Sequence, residues 1–371
     1  MRRWIFHFCL LFGLTTSPLI QAEERHCLYV ASPGIRDLLE YGGHGVLVFD
    51  IDQNYRFLKR IPFSGLANNG KPLNIKGVCA SAETGLMHIT TIRGVICLDL
   101  STEKVLWEQS YDGGCDRLSV SPDGLILYVP SFEKDHWHVI ESHSGNVLAR
   151  LNPKSKAHNT IYGPNGQEVY LAGLGSNLLS VADTRAHNLA RTVGPFSAAV
   201  RPFTINSQQT RIFACVNDLL GFEIGDLSTG QVLAKITVTG YEKGPVKRHG
   251  CPSHGIGITP DEAEIWVCDA HNHALHVFDN SAFPPTQKQS LKLRDEPGWI
   301  TFRGDGRHAW PSTGEIIDTE SKQIVATLSD EHSRAVHSEK MVEVHLSEVQ
   351  ESPKKVIWVG NQFGIGRKTG E

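Results

Sequence analysis

The chain has 371 residues, of which 40% are hydrophobic and 20% are charged, and its formal net charge is -4. This length suits one large all-β domain or two ordinary domains. The slightly acidic balance gives no reason to expect nucleic acid or an acidic membrane surface as a partner.

The N-terminal segment has the pattern of an export signal. Two arginines are followed by the mostly apolar run Trp4–Ile20, and the small residue Ala22 precedes Glu23. This order predicts a cleaved signal peptide at residues 1–22 and a periplasmic or secreted protein at residues 23–371. A membrane anchor is the alternative, but the run is short and interrupted at Gly13. No later segment is apolar enough to span a bilayer, so we expect no span after cleavage.

One stretch, Ser253–Asp279, shows the pattern that the rest of the chain repeats. Its apolar runs are separated by the turn Pro260–Glu262 and by the polar break Ala270–Asn272, and the last run ends on aspartate. Short runs of β-forming residues between Pro, Asp, Asn and Gly turns are typical of consecutive antiparallel strands.

The repeat occurs seven times, with a period of roughly 40–50 residues. A polar residue ends the third strand of each unit: Asp50, Asp99, Glu141, Asp183, Asp226, Asp279 and Asp318. This array predicts an all-β fold, a single seven-bladed β-propeller of four-stranded antiparallel blades. Unit one has three strands of its own, so we expect Lys340–Ser347, near the C-terminus, to complete it and close the ring. Lys354–Gly360 is predicted to be a short tail strand.

The connections differ in length between the two faces of this propeller. Short turns such as Pro122–Gly124 and Ser142–Gly145 join first to second and third to fourth strands. The other face carries the long loops Pro33–His44, Pro62–Asn74, Phe132–His136, Thr239–Pro252 and Ser329–Glu339. We call this second face the loop-rich face. Since function usually lies on long loops held by a rigid scaffold, we expect the site there.

The cysteines do not form the pattern of a disulfide framework. Seven of the eight follow the predicted signal, an odd number, and most lie inside apolar runs. They are therefore interpreted as small core residues, with Cys115 and Cys251 in turns as the better candidates for chemistry.

The repeat resembles the YVTN-type seven-bladed β-propellers. The resemblance rests on Leu118–Val129 (LSVSPDGLILYV), Ile256–Val267 and Gly221–Val232 (GFEIGDLSTGQV), and it extends over nearly the whole mature chain. It implies the fold. Its relatives in the quinoprotein amine dehydrogenase and nitrous-oxide reductase propeller superfamily differ too widely in activity to imply one function.

Residues at the start of each innermost strand should ring the mouth of the central channel. The predicted ligand-binding set is Lys76, Asp116, Arg117, His158, Arg201, His254, Asp269 and Trp299. The simpler interpretation is that these positions are polar because water fills the mouth.

Histidines at this mouth also allow a metal site. His271 and His273 follow a strand, where residues two apart can point the same way, and His254 belongs to the neighbouring strand. Imidazole is a good ligand for zinc, copper or iron, so these three are the predicted metal ligands. The alternative is that they cap loops by hydrogen bonding to the backbone.

Three functions follow from these residues. The leading one is a binding module whose small ligand or protein partner sits at the loop-rich mouth around His254. The second is a metal-dependent, oxidoreductase-like propeller with a transition-metal cofactor. The third is a lactonase-type hydrolase that uses Asp116, Asn217 and Asp269. A propeller of this size can stand alone as a monomer.

Overall fold

A computed structural model describes residues 23–348 and 354–360. The predicted signal peptide, residues 1–22, lies outside the described residues. These form 29 β-strands and one short 3-10 helix, Leu39–Tyr41. The strands make seven antiparallel sheets, which confirms the all-β propeller of seven blades.

Blades two to seven are four-stranded, and their strands follow chain order from the innermost strand outward. Blade two consists of β4 (Ile75–Ser81), β5 (Leu86–Thr91), β6 (Gly94–Asp99) and β7 (Lys104–Ser110). Blade three consists of β8 (Ser119–Val120), β9 (Ile126–Pro130), β10 (Trp137–Glu141) and β11 (Val147–Leu151). Blade four consists of β12 (Ala157–Tyr162), β13 (Glu168–Gly173), β14 (Leu179–Asp183) and β15 (Asn188–Val193). Blade five consists of β16 (Val200–Ile205), β17 (Arg211–Val216), β18 (Gly221–Asp226) and β19 (Val232–Thr237). Blade six consists of β20 (Ile256–Ile258), β21 (Glu264–Asp269), β22 (Ala274–Asp279) and β23 (Thr286–Lys292). Blade seven consists of β24 (Ile300–Phe302), β25 (His308–Pro311), β26 (Glu315–Asp318) and β27 (Ile324–Thr327).

Blade one joins the two ends of the described chain. Its own strands are β1 (Glu23–Ser32), β2 (Gly45–Asp50) and β3 (Arg56–Ile61), and β28 (Met341–Glu348) pairs antiparallel with β1. The predicted closure of the ring by a C-terminal strand is therefore confirmed. The tail strand β29 (Lys355–Val359) adds a fifth strand on the free edge of β28, on the channel side. The inner edges of β1 and of β28 are thus both paired.

The aspartates that mark the repeat hold the outer hairpin turns. Each predicted marker residue is the last residue of the third strand of its blade. Asp183, for example, accepts backbone hydrogen bonds from Arg185 and Ala186 through one carboxylate oxygen. Asp226 does the same with Ser228 and Thr229. The period of the sequence is therefore the period of these Asx turns.

The core lies between the blades, and large aromatic side chains fill it. Trp137, Trp266 and Trp310 are at most 1% exposed. At the seam between blades one and seven, the Trp310 indole N–H donates to the Tyr55 hydroxyl at 3.0 Å. That hydroxyl donates in turn to His308 Nδ1 at 2.7 Å, so the closing seam is fixed by directional bonds as well as by packing.

Three of the long loops interlock on the loop-rich face. Gly34 forms a parallel bridge with Ser338, which joins loop 33–44 to loop 329–339. Arg248, from loop 239–252, donates to the Tyr41 hydroxyl at 2.9 Å and forms an ion pair with Asp295. These contacts connect the three loops into one continuous surface over blades one, six and seven.

All seven described cysteines are buried and outside disulfides, as the sequence predicts for core residues. Burial raises the pKa of Cys251 to about 12, and it raises the pKa of Cys115 as well, so neither thiol is a ready nucleophile. Among the described residues we find no helix with the length and apolar character that crossing a bilayer requires.

Candidate functional site

A cluster of charged and histidine side chains lies where the innermost strands begin on the loop-rich face. We call it the channel cluster: Lys76, Asp116, Arg117, His158, His249, His254, Trp299, Glu339 and Lys340. Blades one, two, three, four, six and seven each contribute, because the same position of the repeat faces the channel in every blade. All of these residues are at least nine-tenths buried except Lys76, whose side chain is 17% exposed.

Asp116 holds one side of the channel cluster. It is fully buried, and its Oδ2 accepts a hydrogen bond from His158 Nδ1 at 2.8 Å. Its Oδ1 lies 3.4 Å from Lys76 Nζ. Burial raises the pKa of Asp116, but Lys76 and His158 outweigh it and hold that pKa below its usual value. The carboxylate is therefore ionised, and His158 must carry its proton on Nδ1.

Glu339 holds the other side and binds three partners. Its Oε2 accepts from Lys340 Nζ at 2.7 Å and from Arg117 Nη2. Its Oε1 lies 3.1 Å from His249 Nδ1. Burial raises the pKa of Glu339, but Lys340 and Arg117 lower it further than burial raises it. This carboxylate is thus ionised and its oxygens are already taken by protein donors.

His254 and Trp299 fill the space between the two carboxylates. His254 Nδ1 donates to the Gly298 carbonyl at 3.1 Å, and its ring stacks on His249 with centroids 5.0 Å apart. Burial holds the pKa of His254 well below its usual value, so the ring is neutral. The Arg117 guanidinium lies 3.8 Å from the centre of the Trp299 ring, a cation–π contact that fixes its plane.

The channel cluster carries more positive than negative groups. Lys76, Arg117 and Lys340 face only two carboxylates, Asp116 and Glu339. Burial lowers the pKa of Lys340 to about 7, and the neighbouring cations Arg117 and Lys76 lower it too, while Glu339 opposes the shift. Near neutral pH this ammonium is therefore only partly charged.

Four polar atoms of the channel cluster are buried without a hydrogen-bond partner among the described residues. They are Asp116 Oδ1, whose nearest cation is Lys76 Nζ at 3.4 Å, and Arg117 Nε, His158 Nε2 and His249 Nε2. A buried donor without an acceptor costs about 1–3 kcal/mol, and more when it is charged. Unpaired atoms of this kind on three blades indicate a site that a ligand or ordered water completes.

Two residues of the predicted ligand-binding set bind elsewhere. Arg201 donates to Asn217 Oδ1 at 2.5 Å and to the Gly250 carbonyl at 3.0 Å, at the border of the loop-rich face. Asp269 accepts from His276 at 3.0 Å and from the Asn272 amide, inside its own blade. Of the three residues proposed for hydrolysis, only Asp116 therefore belongs to the channel cluster.

The structure does not bring His271 and His273 to His254. Residues 270–273 form a turn in which His273 has φ 51°, so the alternation of a strand, on which the prediction relied, does not apply. His271 Nδ1 instead donates to the Pro245 carbonyl at 3.2 Å. Of the described residues, the group with ligand atoms within 4.8 Å of one another is His249, His254 and Glu339.

That group is a poor metal site as it stands. The Glu339 oxygens already bind Arg117, Lys340 and His249, and a dication there would lie beside two cationic side chains. Electrostatic repulsion in a buried site makes this costly. The structure also has an open cleft of about 550 Å³ lined by Ala67–Asn69, Leu73 and Arg93, which contains no acid–base group of the channel cluster.

Sequence reasoning missed His249, Glu339 and Lys340 as site residues. Lys340 directly precedes β28, the strand that completes blade one, and Glu339 is the residue before Lys340. The rule that selected Lys76 and His158 would have selected this position too, had it been applied to the closing strand. His249 comes from the long loop 239–252, where no repeat gives a register.

Comparison with known proteins adds no functional assignment. The chain resembles a solved chain of the hydrazine synthase of Kuenenia stuttgartiensis, with 14% identity and a TM-score of 0.46, covering 68% of this chain and 94% of that chain. No family model and no curated protein sequence matches the chain. The fold and the site define the class, a seven-bladed β-propeller, and membership of the YVTN-type family stays a prediction.

Proposed function

We propose that this protein is an exported binding module that takes a small anionic ligand, a carboxylate in its simplest form, at the channel cluster. The observation that carries the proposal is the unpaired Arg117 Nε in a buried site whose cations outnumber its carboxylates. The export part rests on the N-terminal sequence pattern.

Arg117 has the geometry that carboxylate recognition needs. One edge of its guanidinium binds Glu339, and its flat face lies on Trp299, so the plane of its remaining donors is set before a ligand arrives. A fixed guanidinium fork pairs with a carboxylate through parallel hydrogen bonds and loses little entropy on binding. Lys340 Nζ donates to the same Glu339 carboxylate, so a bound anion would also favour the protonated, charged form of Lys340.

The two unpaired imidazole nitrogens are suited to the same ligand. Nδ1 of His158 and of His249 is directed at a carboxylate, so a ring that carries its proton on Nδ1 offers Nε2 as an acceptor. A protonated carboxyl or a hydroxyl group of a ligand could donate to it. A hydroxy acid or a dicarboxylic acid therefore matches the donors and acceptors better than a simple inorganic anion.

The binding test is calorimetry of tag-free mature protein with a panel of mono- and dicarboxylic acids, hydroxy acids, phosphate and sulfate. Arg117→Lys keeps the charge but removes the Nε–H donor and the planar fork. Loss of a hydrogen bond to a charged group, worth about 1.5–3 kcal/mol, should weaken binding by about 10–100-fold.

Arg201→Gln is the matched control, because Arg201 lies on the same face but binds Asn217 and a backbone carbonyl. It should bind as the wild type does. A panel without any binding anion contradicts the proposal, and so does an Arg201→Gln variant that loses affinity as strongly as Arg117→Lys.

A lactone hydrolase is the second candidate, and one observation favours it. The Asp116–His158 pair, with His158 Nε2 buried and unpaired, is the arrangement of a general base oriented by a carboxylate. A lactone panel should then show turnover that His158→Gln abolishes. A panel without turnover leaves binding as the function.

A further inference from the structure

A second histidine pair lies on the loop-rich face, outside the channel cluster. His136 precedes β10 and His138 is its second residue, so the alternation of a strand puts both rings on one side. Trp137 between them points to the other side, where its indole N–H donates to Thr160 Oγ1 at 2.8 Å. Both histidines are at most 5% exposed.

Three atoms converge at this pair. His136 Nε2 and His138 Nε2 are 3.2 Å apart, and they lie 3.1 and 3.0 Å from the carbonyl oxygen of Asp112. The ring centroids are 4.8 Å apart, so the two rings diverge from this point and direct their Nε2 atoms at it. Asp112 precedes Gly113, whose φ of 80° turns the chain there.

Hydrogen bonding alone does not satisfy this triangle. Arg150 Nη2 donates to His136 Nδ1 at 2.8 Å, which places the proton of that ring on Nε2. If His138 is protonated on Nε2, two N–H groups oppose each other. If it is not, its lone pair faces the carbonyl oxygen at 3.0 Å. Each tautomer of His138 leaves one repulsive contact in a buried place.

A cation removes the conflict, because all three atoms can direct lone pairs at it. A point about 2.0–2.1 Å from each atom, the usual zinc–nitrogen distance, lies about 1 Å out of the plane of the triangle. This is a three-ligand pyramid with its fourth position open to water or to the Asp112 carboxylate, whose side chain is 78% exposed.

We propose that His136, His138 and the Asp112 carbonyl form a binding site for one divalent transition-metal ion, zinc or copper. Two imidazoles and an oxygen suit these ions better than magnesium or calcium. The site is independent of the anion site, because it shares no residue with the channel cluster.

Binding requires that both rings carry their proton on Nδ1, and it requires one side-chain movement. The His136 proton moves from Nε2 to Nδ1, so no net proton is released. Arg150 must then leave Nδ1, and it can do so because its side chain is 49% exposed and already lies 3.3 Å from the Asp112 carboxylate. Arg150→Ala removes this competing donor, so that variant should bind the ion at least as tightly as the wild type.

The experiment is a titration of tag-free, metal-stripped protein with Zn²⁺ in competition with a chromophoric chelator. The wild type should bind one ion per chain. His136→Gln and His138→Gln should each lose at least the roughly 10–100-fold in affinity that losing an outer-shell partner costs. The backbone carbonyl of His136, which binds Ser131, is kept in the variant, so the loop retains its bonds.

His249→Gln tests the competing location, the group of His249, His254 and Glu339. It should bind zinc as the wild type does, and its loss of the ion would overturn the proposal, as would a wild type that binds no zinc at micromolar concentration. Cu²⁺ electron paramagnetic resonance of the wild type is the measurement that needs no variant. Two imidazole nitrogens around copper are expected, and none would refute the site.

Discussion

Lys340 should reduce the stability of the protein at neutral pH, and its replacement by methionine should show by how much. Burial lowers the pKa of this ammonium to about 7 in the folded chain, from 10.5 as the reference value. The difference corresponds to about 5 kcal/mol of folding free energy at 1.36 kcal/mol per pKa unit. Methionine has a similar volume and carries no charge to desolvate.

The sign of the pH dependence follows from the direction of the shift. Between pH 7 and 10.5 the unfolded chain holds the Lys340 proton and the folded chain does not, so stability rises with pH. This contribution of Lys340 to the free energy of unfolding is fully present above the pKa of Lys340 in the unfolded chain. It is lost as the pH falls to the pKa of Lys340 in the folded chain. From pH 7 to 9.5 it amounts to about 3 kcal/mol, and Lys340→Met should lack it.

Urea unfolding at several pH values measures this. The quantity is the difference in unfolding free energy between wild type and variant, in which the other titrating groups cancel. At pH 7 the variant also loses the bonds to Glu339 and to the Gly34 carbonyl, which offsets part of its gain. Lys235→Met, at a half-exposed lysine, is the control and should follow the wild-type profile. Parallel profiles for wild type and Lys340→Met would refute the reasoning.

Two further predictions concern buried groups away from the channel cluster. Burial lowers the pKa of His88 to about 4, so the wild type should lose about 3 kcal/mol as the pH falls from 6.5 to 4. His88→Gln, which keeps a donor for the Ser142 carbonyl, should lose less in acid unfolding curves. Tyr55→Phe leaves the Trp310 N–H unpaired in the closing seam and should cost about 1–3 kcal/mol in urea.

One experimental result would contradict each of these two predictions. An acid transition that is unchanged in the His88→Gln variant would mean that burial does not lower the pKa of His88 in the folded chain. A Tyr55→Phe variant as stable as the wild type would mean that water replaces the hydroxyl at the seam.

The fold could be predicted because its signals are local. The number of blades follows from the acidic residue that ends each third strand, an aspartate in every blade but one. In blade four, for example, Asp183 caps its turn through hydrogen bonds to residues two and three positions away. The closing strand could be recognised because unit one lacked a partner for its inner edge. Both signals survive in a single sequence, since they need no knowledge of distant contacts.

The site was harder to predict because its pairs are distant. Arg117 and Glu339 are 222 positions apart, and only the closed ring brings them together. The positions at strand starts could be predicted from the repeat, whereas His249 depends on the path of a long loop. The two His-x-His pairs make the same point. His271 and His273 lie in a turn, where the period of two fails, while His136 and His138 follow it.

Ring closure and site completion are one event in this molecule. A chain emerging from the ribosome carries Arg117 long before Glu339, so its first blades can form while the guanidinium still lacks its carboxylate. Lys340 and Glu339 arrive with β28, the strand that pairs with β1. A ligand held by Arg117 and by the Glu339 side would therefore join blade three to the closing segment, and it would favour the closed ring by mass action.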